Sequence, residues 1–318
     1  MPWPQDALPV AFTTGEAEAA GISRHRLNRA QRSGRLWRPT PGVYVERARF
    51  TTQSWPDRHR ALARVAPLHV QNSVVSHVSA ALLSGLPHPP AAQGQVRLTV
   101  ERTPRVNRPS DWVHLHRAGL PSDHVTTLDG IPVTTAARMV LDCCRELRTQ
   151  DAVAIADAAV REGSVTEGEL ISMFAFQHRW PGASGSRRVL PLVDPRRENW
   201  FESASAALLH SDGVPLGTPQ VEVFGAAGEF LARVDFLWAE SGVIGEADGA
   251  GKLLGEFDEQ EQASSPETSG QAGHRAGRAL HPAAGSGFRG VPLDPRRTVA
   301  RQLGGRPSLL RGGPAGAT

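Results

Sequence analysis

Ser23-Arg24-His25-Arg26-Leu27-Asn28-Arg29-Ala30-Gln31-Arg32-Ser33-Gly34 is the stretch on which the reading of the N-terminal fold turns. Ser23 is a natural helix N-cap and Gly34 a natural helix stop. At about 100° per residue, Leu27 and Ala30 share one face, while His25, Asn28, Arg29 and Arg32 lie opposite. Upstream, Thr14-Gly15-Glu16-Ala17-Glu18-Ala19-Ala20-Gly21 reads as a shorter helix, with Thr14 as its cap, acids in its first turn and Gly21 at its end. Two short helices joined through a glycine turn make a helix-turn-helix. Downstream, Leu36-Trp37-Arg38-Pro39 and Gly42-Val43-Tyr44-Val45 read as two short strands, in the place of a wing.

The chemistry of this segment is one-sided. Residues 24–38 hold six arginines and no acid. A helix that reads DNA needs an apolar seam to hold it, with cations and amides facing phosphates and base edges. The DNA-contacting set is therefore Arg24, His25, Asn28, Arg29 and Arg32 on the helix, with Arg35 and Arg38 at its end and on the wing. The partner they imply is double-stranded DNA. An arginine face by itself is weak grounds here, because all but one of the 35 basic residues are arginine, as in a GC-rich genome. The helix–turn–helix–wing order without a single acid is the stronger signal.

Overall charge does not carry the argument. The chain of 318 residues is +3, but residues 270–318 contain eight arginines and one acid, Asp294, so the remainder is slightly acidic. No apolar run approaches the roughly 18 residues of a membrane span. Met1-Pro2-Trp3-Pro4-Gln5-Asp6 lacks the basic start of a secretory leader, so the expected location is the cytoplasm. The two cysteines, Cys143 and Cys144, are adjacent and can neither staple distant segments nor complete a four-ligand zinc site. They read as part of a helix face.

The middle of the chain alternates helical and strand patterns. Helices are expected over 61–68, 79–83, 134–142, 151–161 and 166–174, and strands over 96–100 and 113–116. His77, His114 and His116 raise a metal reading, since His114 and His116 share a strand face. No Cys, Asp or Glu accompanies them at ligand spacing, so they read as half-buried structural histidines.

The pattern changes after Glu198. Residues 199–210 read as a helix containing Glu202. Strands come next at 220–224, 230–238 and 243–249. Asp235 points away from the face shared by Val234, Phe236 and Trp238, and Glu246 and Asp248 share a face of the next strand. If these strands pair as a hairpin, three carboxylates converge. Hard oxygen ligands of this kind suit Mg²⁺, and Glu202 could complete the set. Lys252, the single lysine of the chain, lies just beyond and could stabilise charge on a phosphodiester.

Asp235, a ten-residue gap and Glu246-x-Asp248 resemble the PD-(D/E)XK nuclease superfamily, in its very-short-patch-repair branch. The lysine of the superfamily's E-x-K is Asp248 here, with Lys252 four residues on. The resemblance implies Mg²⁺ held by Asp235, Glu246, Asp248 and Glu202, with Asp235, Glu246, Asp248 and Lys252 as the catalytic set. Gly21-Ile22-Ser23 through Val43-Tyr44-Val45 resembles the winged helix of AbiEi-type antitoxins, the DNA-binding partners of type IV toxin–antitoxin systems. Ser76-His77-x-Ser79-Ala80-Ala81-Leu82-Leu83-x-Gly85-Leu86-Pro87 and Gly130-Ile131-Pro132-Val133-Thr134-Thr135-x-Ala137-Arg138 are similar to segments of actinobacterial proteins of that group. This resemblance implies a transcriptional regulator whose protein partner is a toxin or a nucleotidyltransferase-like protein.

The expected class is therefore a multidomain α+β chain. A winged helix-turn-helix occupies residues 1–50 and an α/β middle domain 51–195. A partial restriction-endonuclease-like α/β domain occupies 196–262 and a disordered tail 263–318. The tail's last 49 residues hold 11 glycines, five prolines and eight alanines beside the arginines, too little apolar surface to offset ordering entropy. Such text is also what a GC-rich gene yields in a shifted reading frame, and a shift near residues 260–270 would account for it. Three functions stay open: a DNA-binding antitoxin-type regulator, a Mg²⁺-dependent endonuclease targeted by its winged helix, and a non-catalytic protein whose acidic body contacts a toxin.

Overall fold

The computed structural model describes residues 8–89, 94–101 and 111–248, together with strand segments 287–292 and 298–302. The chain divides into two compact units, Met1–Leu147 with Gly163–Ser186, and Arg148–Glu162 with Arg187–Thr318. Among the described residues no helix is long and apolar enough to cross a membrane.

The first unit opens with β1 (Ala11–Thr13), α1 (Thr14–Ala19), α2 (Arg24–Arg32), β2 (Leu36–Thr40) and β3 (Val43–Glu46). The three strands form an antiparallel sheet in the order β1-β3-β2. Strand β1 has no clear sequence signal, because its three residues are too few to show a period. The cap of α1 is Thr13 rather than the expected Thr14. Thr13 Oγ1 accepts from the Glu16 N–H at 3.1 Å and Glu16 Oε2 accepts from the Thr13 N–H at 2.7 Å, a reciprocal capping box. The sequence offered two adjacent threonines, and the register of β1 puts Thr13 at the turn. Ser23 caps α2 as expected. Leu27 and Ala30 are buried against Phe12, Ile22, Leu36 and Tyr44.

The winged helix is continuous with the helices after it. The other side of its sheet, Val10, Ala11, Val43 and Val45, packs on Val65, Ala61 and Leu62 of α4 (Trp55–Val65) and on Phe50 of α3 (Arg47–Thr52). Arg64 donates to the Ala11 carbonyl at 3.0 Å and pairs with Glu16. The boundary expected at residue 50 is accordingly absent, because the apolar second face of a three-stranded sheet has to be covered.

Next come β4 (Ser73–Val75), α5 (His77–Leu83), β5 (Val96–Val100), β6 (Val113–Arg117), β7 (Val125–Leu128), β8 (Ile131–Thr134) and α6 (Ala136–Glu146). The five strands form a mixed sheet ordered β6-β5-β4-β8-β7. Within it β4/β8 and β5/β6 are parallel and the other pairs antiparallel. Helix α6 carries a buried ionic cluster: Asp142 accepts from Arg138 at 2.8 Å, Arg145 at 2.7 Å and Gln177 at 3.1 Å. Both guanidinium groups lie over the Trp180 ring. Gln177 ends α8 (Glu167–Gln177). Cys143 and Cys144 are fully buried, and burial pushes the Cys144 thiol up to about 12. They pack in the helix, as their pattern suggested.

The second unit begins with α7 (Thr149–Arg161), continues at the end of α9 (Ala183–Val189) and includes α10 (Trp200–Ser211). Helices α7 and α10 are joined by a buried cluster in which Asp157 accepts from Arg197 at 2.6 Å and Ser203 at 2.7 Å. The expected boundary at 195 therefore fails as well, since α7 belongs with α10 and not with the sheet before it.

Strands β9 (Thr218–Gly225), β10 (Phe230–Trp238) and β11 (Val243–Asp248) pair antiparallel around Val221, Val223, Val234 and Leu237. Two stretches of the tail extend this sheet: β12 (Gly287–Pro292) pairs with β11 and β13 (Thr298–Gln302) with β9, giving the order β12-β11-β10-β9-β13. The tail's composition did not point to strands there. The rest of the expected disordered tail lies outside the described residues, as does Lys252.

Candidate nucleic-acid interface and carboxylate cluster

Helix α2 presents the face that its sequence predicted. His25, Asn28, Arg29 and Arg32 are exposed, opposite the buried Leu27 and Ala30. Arg35 and Arg38 are exposed at the start of the wing, with Arg38 over the Tyr44 ring at 5.9 Å from its centre. Two of the seven positions face an acid. Arg24 donates to Glu18 at 2.8 Å, and Arg35 lies 3.9 Å from the buried Glu46. The surface that remains is a cationic helix face continuous with a cationic strand, which suits a phosphate backbone.

In the C-terminal sheet, β10 and β11 form the hairpin on which the carboxylate reading depended. Phe236 pairs with Gly245 and Leu237 with Ile244. One step further along this register, Asp235 stands across from Glu246, and Asp235 Oδ2 accepts from the Ala247 N–H at 2.8 Å. Asp248 is the last residue of β11, and Lys252 is outside the described part.

Glu202 reaches the same place by an unforeseen route. The buried Gln220 amide donates to Glu202 Oε2 at 2.9 Å and to Asp235 Oδ1 at 3.4 Å, and so ties α10 to β10 through β9. Gln220 has a left-handed backbone, φ 53°, which a non-glycine residue rarely adopts. Its Oε1 is buried with no hydrogen-bond partner among the described residues. Nothing in the sequence marked Gln220, because its role comes only from its position between two acids distant in the chain. Glu202 also accepts from Asn199 Nδ2 at 2.5 Å and from the Glu198 N–H at 2.8 Å, so its oxygens help cap its own helix. Burial, with Asp235 and Glu198 nearby, raises its pKa.

The histidines are also placed differently from their reading. His77 is buried, and its ring stacks on that of His116 at 3.7 Å between centres. His114 is exposed beside His116. Glu146, at the end of α6, joins them, and the separation of 30 positions between His116 and Glu146 hid that contact in the sequence.

Comparison with known proteins bears on the first of these sites. Residues 9–47 match the family described as transcriptional regulator, AbiEi antitoxin. The match covers β1 through β3 with the first residue of α3 and includes all seven candidate DNA-contacting residues. Two proteins of Mycobacterium tuberculosis strains, Uncharacterized protein MT2308 and Uncharacterized protein Rv2248, are each 31% identical over 140 residues, 44% of this chain. The chain spans about half the length of these curated relatives, 50% of each. A crystal structure of RV2827C protein from Mycobacterium tuberculosis aligns with 65% of this chain and 73% of its own, at 17% identity and a TM-score of 0.34.

Proposed function

We propose that this protein is a DNA-binding transcriptional regulator of antitoxin type. The observation that carries the reading is the exposed cationic face of α2 and its wing inside the segment that matches a regulator and antitoxin family. Arg24, His25, Asn28, Arg29 and Arg32 contact the duplex from the helix, and Arg35 and Arg38 bind its phosphates from the wing. A toxin or a nucleotidyltransferase-like protein is the protein partner of this reading. The test is a supercoiled plasmid carrying the gene's own upstream region, incubated with the full chain in Mg²⁺ or in EDTA. The expected result is retardation in both lanes without nicking, weakened by Arg29→Ala and unchanged by Asp235→Ala. Absence of retardation at low salt would overturn it.

A second reading, a Mg²⁺-dependent endonuclease, is favoured by one observation: the orphaned Gln220 Oε1 beside Asp235 and Glu202. An unpartnered buried oxygen among carboxylates fits a hard cation. Asp235, Glu246, Glu202 and Gln220 are the residues that would hold it; the oxygens of Asp235 and Glu202 already accept from protein donors and would offer their remaining lone pairs. Asp248 and Lys252 belong to the expected catalytic set of this reading. A bound Mg²⁺ would supply Lewis-acid polarisation of a phosphodiester. Nicking seen only with Mg²⁺, and lost in Asp235→Ala, would establish this reading in place of the first.

A further inference from the structure

Outside both of these sites, the first unit brings together two imidazoles and a carboxylate from three elements. His77 opens α5, His116 lies on β6 and Glu146 ends α6, with one potential ligand atom of each within 4.8 Å of the others. We propose that His77, His116 and Glu146 form a binding site for a transition-metal dication of the Zn²⁺ or Co²⁺ type. Two imidazoles and one carboxylate are a common donor set for such ions and leave a coordination position open.

Four observations support the site. His116 Nε2 is buried without a hydrogen-bond partner among the described residues, and lies 3.8 Å from Glu146 Oε2. Leaving a buried nitrogen unmade is costly, and a metal would satisfy it. The other oxygen of Glu146, Oε1, accepts from Arg97 at 2.7 Å, so the carboxylate is oriented from behind with Oε2 turned to the histidine. His77 is held in the same manner: its Nδ1 is 2.9 Å from Ser76 Oγ, which accepts in turn from Thr99 at 2.7 Å. Finally, His77 has a left-handed backbone, φ 52°, a strained conformation of the kind that persists where surrounding structure imposes it.

An imidazole binds a metal through the lone pair of its neutral form. The nearby cations are already matched, Arg97 to Glu146 and Arg138 and Arg145 to Asp142. The two rings are 16° from parallel, so one turns about its side-chain bonds when the ion enters. His116 is the one able to do so, because it is only half-buried and His77 is bonded to Ser76.

The test is a Co²⁺ titration of the full chain after EDTA treatment and dialysis, read by visible ligand-field absorption. One saturable equivalent is expected. His116→Gln and Glu146→Gln should each weaken it by more than the roughly 10–100-fold that losing an outer-shell partner costs, and Asp235→Asn should leave it unchanged. Zn²⁺ should raise the melting temperature of the wild type and not of His116→Gln, with circular dichroism confirming that the variants are folded. Absence of a saturable spectrum in the folded wild type would overturn the proposal. So would a spectrum that survives in both folded variants, or one that Asp235→Asn abolishes.

Discussion

The salt dependence of DNA binding offers the sharpest test of the α2 interface, because its size derives from counted side chains. Of the five arginines assigned to the interface, Arg24 is paired with Glu18 and Arg35 lies near Glu46, while Arg29, Arg32 and Arg38 are exposed. Three to five phosphate contacts per protomer then give a slope of log K against log salt of about −2.7 to −4.5, at about −0.9 per contact. Between roughly 50 and 200 mM salt, affinity should fall about 40- to 500-fold per protomer. Arg29→Ala should make the slope shallower by about 0.9 and weaken binding at every salt concentration. If Arg29 reaches a base edge, the substitution should also relax sequence preference, at about 1–3 kcal/mol. Fluorescence anisotropy on a labelled duplex over a salt series reads all three quantities. A flat salt response, or an Arg29→Ala protein with unchanged slope and affinity, would refute the assignment of α2 to DNA.

Other consequences concern stability. A Cβ at Gly185 would sit 2.1 Å from the Cys144 carbonyl oxygen, so Gly185→Ala should destabilise by about 1–3 kcal/mol, read as a lowered melting temperature. Thr13→Ala removes the capping box of α1 and should cost about 0.5–2 kcal/mol in urea unfolding, with DNA affinity falling in parallel if α1 positions α2. Burial, with Arg97 and Arg60 nearby, brings His59 down to about 4 in the folded protein from 6.5. The unfolded chain therefore binds the extra proton first, and stability should be full above about pH 6.5 and decline as pH falls towards 4. At pH 5 this amounts to about 2 kcal/mol. His59→Gln, which can still bond Ser79, should lose that part of the pH dependence in denaturation curves at pH 7 and 5.

Where a segment's fate depends on its own periodicity, the sequence was readable. The amphipathic face of α2, its Ser23 cap and its Gly34 stop were all legible, and the exposed and buried sides match. Strand β10 was read to its ends, and the β10–β11 hairpin that the sequence left as a condition is formed. Short strands such as β1, β4 and β7 were not legible, since three or four residues hold too little pattern to exceed noise. The domain boundaries drawn at 50 and 195 also failed, because a composition change says nothing of which apolar faces will cover one another.

The candidate sites divide in the same way. A single helix places Arg24, Arg29 and Arg32 on its exposed side, and local propensity with amphipathic spacing was sufficient to name that face. Asp235 and Glu246 were within reach of sequence reasoning because adjacent strands set their register. Gln220 bridging Glu202 to Asp235, and Glu146 completing the pair His77 and His116, join residues from 15 to 69 positions apart. No local rule specifies such neighbours, because they are brought together only by packing that buries the apolar faces of separate helices and strands. Local pattern was enough to set most of the longer elements and the chemistry each one offers. Which of those chemistries meet was settled by the folded core, since polar groups from distant segments become partners only once the apolar faces that carry them have closed on one another.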